Sequence, residues 1–125
     1  MTVLVDSDVL VEVSRGRNAE IITRWTELSN SDSVILYSPV SAAELWAGAR
    51  PGESEYLTRL FRTLTCVPLG AEAGQQAGAY LKQFGKSHGV ELGDALIAAA
   101  SALYRAQLWT RNRKHYPMKE VVFFS

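Results

Sequence analysis

The sequence predicts a single α/β domain in which helices cover both faces of a mostly parallel β-sheet. Short apolar runs rich in β-branched residues alternate along the chain with longer segments of helical periodicity. Such alternation is typical of parallel strands joined by crossover helices. The chain has 125 residues, which suits one domain over 1–125. Apolar residues make up 47% of it, so the domain can bury a core without disulfide or metal staples.

The first half of the chain contains two predicted strands, over 3–5 and 34–37. A short helix ending near Gly16 is expected after the first strand. The next helix is predicted by apolar residues at helical spacing, namely Ile21, Ile22, Trp25 and Leu28. After the second strand, a helix is predicted from Ser41 to about Ala49. A further apolar stripe contains Leu57, Leu60, Phe61 and Leu64.

The second half adds three predicted strands, over 66–69, 108–110 and 121–124. Pro68 suits the first of these to an edge of the sheet, because proline cannot donate a hydrogen bond to a strand ladder. Helices are predicted over 71–86 and 92–104. The second of these has almost no polar face, which is typical of a buried helix.

The charge and cysteine content exclude several classes of protein. The 13 basic and 13 acidic residues balance, so nucleic acid would have to be bound through a local patch or a metal rather than through bulk charge. The single cysteine, Cys66, excludes an internal disulfide. It lies in an apolar run, which predicts a core thiol and favours a reducing compartment. With no membrane-spanning run and no signal-like N-terminus, we expect a cytoplasmic protein.

Four polar residues from separate segments are expected to meet at one edge of the sheet. Asp6 follows the first strand, and Glu44 lies near the start of the helix after the second. Asp94 opens the buried helix, and Asn112 follows the strand after it. Ligands bind beyond the carboxyl ends of strands in open parallel sheets. We therefore predict a site at this edge.

The chemistry of these side chains points to a divalent metal. Mg²⁺ and Mn²⁺ prefer oxygen ligands, and a metal-bound water can attack a phosphodiester. We predict that Asp6, Glu44 and Asp94 bind the metal, with Asn112 as a weaker helper. Glu91 is a possible additional acid. No Ser/His/Asp arrangement and no glycine-rich phosphate loop offers a competing mechanism.

Each of these residues also has a purely structural interpretation. Asp6 or Asp8 can cap the first helix, and residues 41–44 match a capping box. Asp94 lies where a helix dipole stabilises an anion, and Asn112 is a common turn residue. Individually the signals are weak, and only their joint placement favours a functional site.

Basic residues follow the strand over 108–110 and are predicted to lie near this site. They are Arg111, Arg113, Lys114, His115 and Lys119. Thr110 either orients Asn112 or a water molecule, or it satisfies backbone groups. Trp46 either borders the site or packs inside. We predict that Thr110, Arg111, Arg113 and Lys114 bind substrate, because a neutral chain needs a local basic patch to hold a polyanion.

Four segments of the sequence resemble the signature blocks of PIN-domain ribonucleases. They are VLVDSDVL over 3–10, SAAEL over 41–45, GDALIAAA over 93–100 and LWTRNRKHY over 108–116. Their order and spacing, and the length of the chain, are similar to those of VapC toxins from bacterial and archaeal type II toxin–antitoxin modules. The resemblance covers essentially the whole chain.

The resemblance implies a three-layer α/β/α sandwich that cleaves RNA with Mg²⁺ or Mn²⁺. It implies that Asp6 and Asp94 are the principal metal ligands and that Glu44 is the third acid. Asn112 stands where many members have aspartate, which removes one charge. It also implies a cognate antitoxin, a toxin–antitoxin hetero-oligomer that often represses its own promoter, and a homodimer. Apolar residues around Trp25 and over 56–64 either form ordinary core faces or leave an exposed surplus that contacts an antitoxin helix or a second copy.

Two alternative functions remain at this point. A PIN fold that binds RNA or antitoxin but cuts poorly is favoured only by Asn112. A haloacid-dehalogenase-like phosphohydrolase is favoured by the paired Asp6 and Asp8. Against that second class, Leu10 replaces a small hydroxyl residue and Ala98 stands where a second acid is needed.

Overall fold

The computed structural model describes all 125 residues and contains one four-stranded parallel sheet. The strands are β1 (Thr2–Val5), β2 (Val34–Tyr37), β3 (Thr65–Cys66) and β4 (Gln107–Trp109). Their spatial order is β3-β2-β1-β4. Leu4 of β1 lies in register with Leu36 of β2 and Leu108 of β4. The predicted parallel sheet is confirmed, and β1 is a central strand.

Six α-helices and one turn of 3₁₀ helix surround the sheet. They are α1 (Ser7–Arg15), α2 (Ala19–Ser29), α3 (Pro39–Ala47), α4 (Ser54–Arg62), α5 (Ala71–His88) and α6 (Leu92–Leu103), and the 3₁₀ turn is Arg113–His115. No helix combines the length and the apolar character that crossing a membrane requires.

The core has two parts, one on each face of the sheet. Successive side chains of a strand point to opposite faces. Leu4 therefore packs with α5 and α6 in one cluster, whereas Val3 and Val5 pack with α1, α2 and α4 in the other. The predicted three layers are confirmed. Within α6, Ala95, Ala98, Ala99 and Ala100 are fully buried, so the prediction of a buried helix is correct as well.

The last predicted strand, 121–124, is only a single bridge. Leu108 pairs with Phe123 in parallel, and Leu108 donates to the carbonyl of Val122 and accepts from the N–H of Phe124. Val121 and Phe124 are buried, whereas Val122 is exposed. The two buried residues are three positions apart, which does not match the two-residue period of a strand. The segment therefore lies beside β4 without forming a fifth strand.

The third strand is shorter than predicted, and Cys66 is not a core thiol. The strand covers Thr65–Cys66 at the sheet edge, and Pro68 stands two residues later, where it has no N–H to donate. Cys66 is exposed. Both residues of this edge strand are exposed, so its apolar sequence context was a poor guide to burial.

The start of α3 also differs from the prediction. Ser38, not Ser41, is the N-cap, and its Oγ accepts the N–H of Ser41 at 3.2 Å. Pro39 occupies the first helical position, which suits its fixed φ angle. The predicted capping box over 41–44 is therefore wrong, since Glu44 lies two turns from the cap. The Glu44 carboxylate therefore does not cap α3.

Candidate active site

The four predicted residues line one open cavity at the carboxyl end of the sheet. The cavity has a volume of about 320 Å³. Its polar lining includes Asp6, Ser7, Asp8, Glu44, Glu91, Asp94, Asn112 and His115. No lysine or arginine side chain is part of this lining. The cavity is therefore dominated by carboxylates.

Asp6 is the most firmly held of these carboxylates. It is 7% exposed and caps α1, its Oδ1 accepting the N–H of Ser7 at 2.8 Å. Its Oδ2 accepts the hydroxyls of Thr110 at 2.9 Å and Tyr116 at 2.7 Å. Asp6 thus both caps α1 and lines the cavity.

Glu44 reaches the cavity from α3 and contacts the start of α1. Its Oε1 accepts the hydroxyl of Ser7 at 3.2 Å. Burial raises the pKa of Glu44, the Ser7 hydrogen bond opposes this, and the negative charges of Asp6 and Asp94 add to the rise. Burial is thus the main cause of the raised pKa, and repulsion between the carboxylates of the cavity is a smaller one.

Asp94 lies in the first turn of α6, where it serves both the helix and the cavity. Its Oδ2 accepts the N–H of Glu91 at 3.2 Å, and His115 Nδ1 lies 3.9 Å from the same oxygen. Burial raises the pKa of Asp94; the Glu91 N–H and His115 oppose the rise, and Asp6 contributes to it. Glu91 also lines the cavity, and its role as an extra acid stays a prediction.

Asn112 and Thr110 form a small hydrogen-bonded loop after β4. The N–H of Asn112 donates to Thr110 Oγ1 at 3.1 Å, while that hydroxyl donates to Asp6. Asn112 Nδ2 lies 3.1 Å from His115 Nδ1. Thr110 therefore orients both the Asn112 backbone and the Asp6 carboxylate, and Asn112 faces His115.

The basic residues predicted as substrate contacts lie outside the cavity. Arg111 Nη1 is 3.4 Å from Glu12 Oε1. Arg113 donates to the carbonyl of Phe124 at 3.3 Å and stacks over the ring of Phe123. Lys114 is exposed. Of this basic cluster only His115 lines the cavity.

Trp46, for which two positions were considered, takes neither. It is 41% exposed and does not line the cavity. Its ring centroid lies 6.2 Å from that of Phe61. It packs on the outer side of α3 and α4.

Asp8 and Tyr116 belong to this site and were not among the predicted site residues. Asp8 Oδ2 accepts the N–H of Arg111 at 3.1 Å, and its buried Oδ1 has no hydrogen-bond partner. Burial, and then the charge of Asp6, raise the pKa of Asp8 to about 6. In the sequence, Asp8 stands only as an alternative helix cap and, paired with Asp6, as the feature that favours a phosphohydrolase. Nothing in the local sequence distinguishes Tyr116 from a core aromatic.

The carboxylate oxygens of the cavity are the ligands that a hard cation prefers, although the side chains alone do not form a complete ligand set. No three acidic, histidine or cysteine side chains are close enough to form a complete ligand set by themselves. Mg²⁺ usually binds to one or two carboxylates and keeps several waters, so a complete set is not required. The unpartnered Oδ1 of Asp8 and the raised pKa values of Glu44 and Asp94 show that negative charge here is uncompensated. A divalent cation would relieve it.

Comparisons with known proteins agree with this geometry. The family model described as "PIN domain" matches residues 3–121. Ribonuclease VapC10 from Mycobacterium tuberculosis is 36% identical over 119 residues, covering 94% of this chain and 88% of the relative.

Two solved structures have the same fold at lower identity. VapBC2 from Rickettsia felis has a TM-score of 0.80 at 19% identity and covers 99% of this chain and 98% of the other. A toxin–antitoxin complex from Klebsiella pneumoniae has a TM-score of 0.73 at 24% identity, covering 96% and 95%. The family match spans the whole sheet and every carboxylate of the cavity, and the chain therefore belongs to the PIN-domain family.

Proposed function

We propose that this protein is a metal-dependent endoribonuclease that hydrolyses RNA phosphodiester bonds, leaving 5′-phosphate and 3′-hydroxyl ends. The observation that carries the proposal is the convergence of Asp6, Glu44 and Asp94, from three separate segments, on one open cavity that no lysine or arginine side chain lines. The ribonuclease named among the relatives supports it. Activity with Mg²⁺ or Mn²⁺ is the finer part of the proposal.

In this proposal Asp6 and Asp94 are the principal metal ligands, and Glu44 is the third. A bound divalent ion supplies an acidified water and charge neutralisation at the phosphate. Asp6 is held by Ser7, Thr110 and Tyr116, so its orientation is set before any ion arrives. Glu44, held only by the Ser7 hydroxyl, is free to adjust to the ion.

The loop after β4 provides the polar side chains that lie opposite the carboxylates in this proposal. Asn112 and His115 contact each other at the cavity rim and are placed to orient a phosphate or its water. Lys114 and Arg111 are exposed beside the cavity and are the proposed contacts for neighbouring phosphates. Arg113, which is engaged with Phe123 and Phe124, is the weakest of the proposed substrate residues. An open cavity suits an unpaired strand better than an A-form helix.

We further propose an antitoxin partner and a homodimer. The R. felis neighbour is VapBC2 bound to a promoter DNA fragment, and the K. pneumoniae neighbour is a toxin–antitoxin complex. A groove of about 630 Å³ between α2, α4 and the start of β2 supports a protein partner. Its apolar lining is Trp25, Val34, Ile35, Tyr56, Leu60 and Leu64. Size-exclusion chromatography with light scattering, of the protein alone and co-expressed with a candidate antitoxin, tests both assemblies.

The decisive experiment is RNA cleavage by purified, partner-free protein with Mg²⁺, Mn²⁺ or EDTA. We expect internal cuts with either ion, none with EDTA, and none for Asp6→Ala or Asp94→Ala. Asp32→Ala, which changes an exposed loop acid, is the matched control and should cut like the wild type. Equal activity of the wild type and both site variants would identify contamination.

A non-cutting binding module is the second candidate, and Asn112 is the observation that favours it. If the missing charge limits metal binding, Asn112→Asp should raise cleavage. RNA binding without cuts, in both wild type and Asn112→Asp, would favour the binding module. The phosphohydrolase alternative is set aside, because Leu10 and Ala98 are fully buried and the chain belongs to a different family.

A further inference from the structure

The shortest hydrogen bond to Asp6 comes from a tyrosine that is not part of the cavity lining. Tyr116 follows the 3₁₀ turn after β4 and is 3% exposed. Its hydroxyl donates to Asp6 Oδ2 at 2.7 Å, across a sequence separation of 110 residues. A hydroxyl that donates to a carboxylate at this distance forms a strong, charge-assisted bond.

The two oxygens of Asp6 differ in how fully they are used. Oδ2 accepts the hydroxyls of both Tyr116 and Thr110, which occupies its two lone pairs. Oδ1 accepts the Ser7 N–H at 2.8 Å, and the Ser7 hydroxyl is 3.5 Å away. Oδ1 is therefore the oxygen with a lone pair available to a ligand.

We propose that Tyr116 is a positioning residue that holds Asp6 Oδ2 and thereby presents Oδ1 to the metal ion. The inference rests on the proposed metal-dependent function, and it assigns one oxygen of Asp6 to the ion and the other to the protein. Groups that hold a metal ligand in this way are usually worth about 10- to 100-fold in metal affinity or activity.

The Tyr116 side chain is buried, and its hydroxyl has Asp6 Oδ2 as its hydrogen-bond acceptor. The ring also packs with Leu4, Ile97 and Leu108 in the core. Removal of the hydroxyl alone, as in Tyr116→Phe, keeps this packing and deletes only the hydrogen bond.

The test measures Mn²⁺ affinity of Tyr116→Phe without RNA, by calorimetry or by the electron paramagnetic resonance of free Mn²⁺. We expect the dissociation constant to rise about 10-fold, and kcat for RNA to fall while KM stays the same. Tyr80→Phe is the matched control. Tyr80 is also buried, at 2% exposed, and donates to a carboxylate, Glu120 Oε1, at 3.3 Å, but it lies outside the cavity. The Tyr80→Phe variant should bind Mn²⁺ and cut RNA like the wild type.

A second variant separates positioning from packing. 4-Aminophenylalanine at position 116 restores a donor at the same place and should recover most of the lost affinity. If this variant behaves like Tyr116→Phe, or if Tyr116→Phe binds Mn²⁺ like the wild type, the inference is overturned.

Failure of the proposed function has a different signature. If the wild type binds no Mn²⁺, the metal-dependent proposal fails, and crystal structures of the wild type and Tyr116→Phe then decide the inference. A turned or doubled Asp6 carboxylate in the variant supports a positioning role for Tyr116. An Asp6 side chain unchanged in orientation and partners overturns it.

Discussion

Asp8→Asn should stabilise the metal-free protein at neutral pH. Asp8 is half-buried beside Asp6, and its Oδ1 is buried without a partner. Asparagine has nearly the same shape, and its amide oxygen can still accept the Arg111 N–H that Asp8 Oδ2 accepts now. The substitution therefore removes a poorly compensated charge while keeping the main hydrogen bond.

The size of the effect follows from the pKa of Asp8, which burial and Asp6 raise from 3.8 to about 6. At about 1.36 kcal/mol per pH unit, this corresponds to about 3 kcal/mol against the ionised form in the folded protein. Because water still reaches part of the side chain, screening reduces the expected gain to about 1 kcal/mol. For a domain of this size, that is a rise in Tm of about 4 °C.

The effect should depend on pH with a defined sign. The pKa in the folded state is the higher one, so at low pH the carboxyl is protonated in both states and costs nothing. As pH rises between 3.8 and about 6, ionisation is progressively easier in the unfolded chain, and the folded wild type loses stability. Asp8→Asn lacks this loss, so its advantage should appear across the same window.

The assay is urea unfolding followed by circular dichroism, in EDTA, at about pH 4 and about pH 7.5. We expect the two proteins to agree at the lower pH and the variant to be more stable at the higher one. Asp32→Asn, at an exposed acid, should show no such difference. A destabilised Asp8→Asn, or an advantage that does not change with pH, would refute the reasoning.

Three further predictions concern the fold. Leu10→Ala, at a fully buried residue, should lower the free energy of unfolding by about 3 kcal/mol, and a loss below about 1 kcal/mol would contradict the two-part core. Ser38→Ala should cost about 1 kcal/mol, since the helix cap it provides is fully buried; Ser41→Ala should cost less, and the reverse order would place the cap wrongly. Cys66→Ser should change stability by less than about 0.5 kcal/mol, and Cys66 should react rapidly with maleimide in the native protein, whereas slow labelling would indicate burial.

The general architecture was predictable because its signals are local. Apolar runs of strand length alternate with helical stripes, and this alternation predicts a parallel sheet with two helical layers. The same topology implies that residues after parallel strands meet at one edge. Asp6, Glu44, Asp94 and Asn112 accordingly line a single cavity, although they are far apart in the chain.

Errors occurred where a local pattern depended on its surroundings. Cys66 has an apolar sequence context but lies exposed on an edge strand. Residues 121–124 are apolar, but only one bridge forms. Glu44 stands three residues after a serine, yet Pro39 allows the helix to start earlier. In each case the local pattern is present in the sequence, but the position of the segment in the sheet or the residue at which the helix begins gives a different structure.

The sequence by itself thus determined the sheet, the layers and the acids that converge, because strand and helix periodicities are properties of short segments. Only the tertiary structure decided which atoms face the cavity. Asp8 accepts the N–H of Arg111 in the loop after β4, and Tyr116 donates to Asp6; each of these bonds spans more than a hundred residues. Arg113, in contrast, donates to the carbonyl of Phe124. Side-chain direction in the loop after β4 depends on these long-range partners, and no local periodicity encodes it.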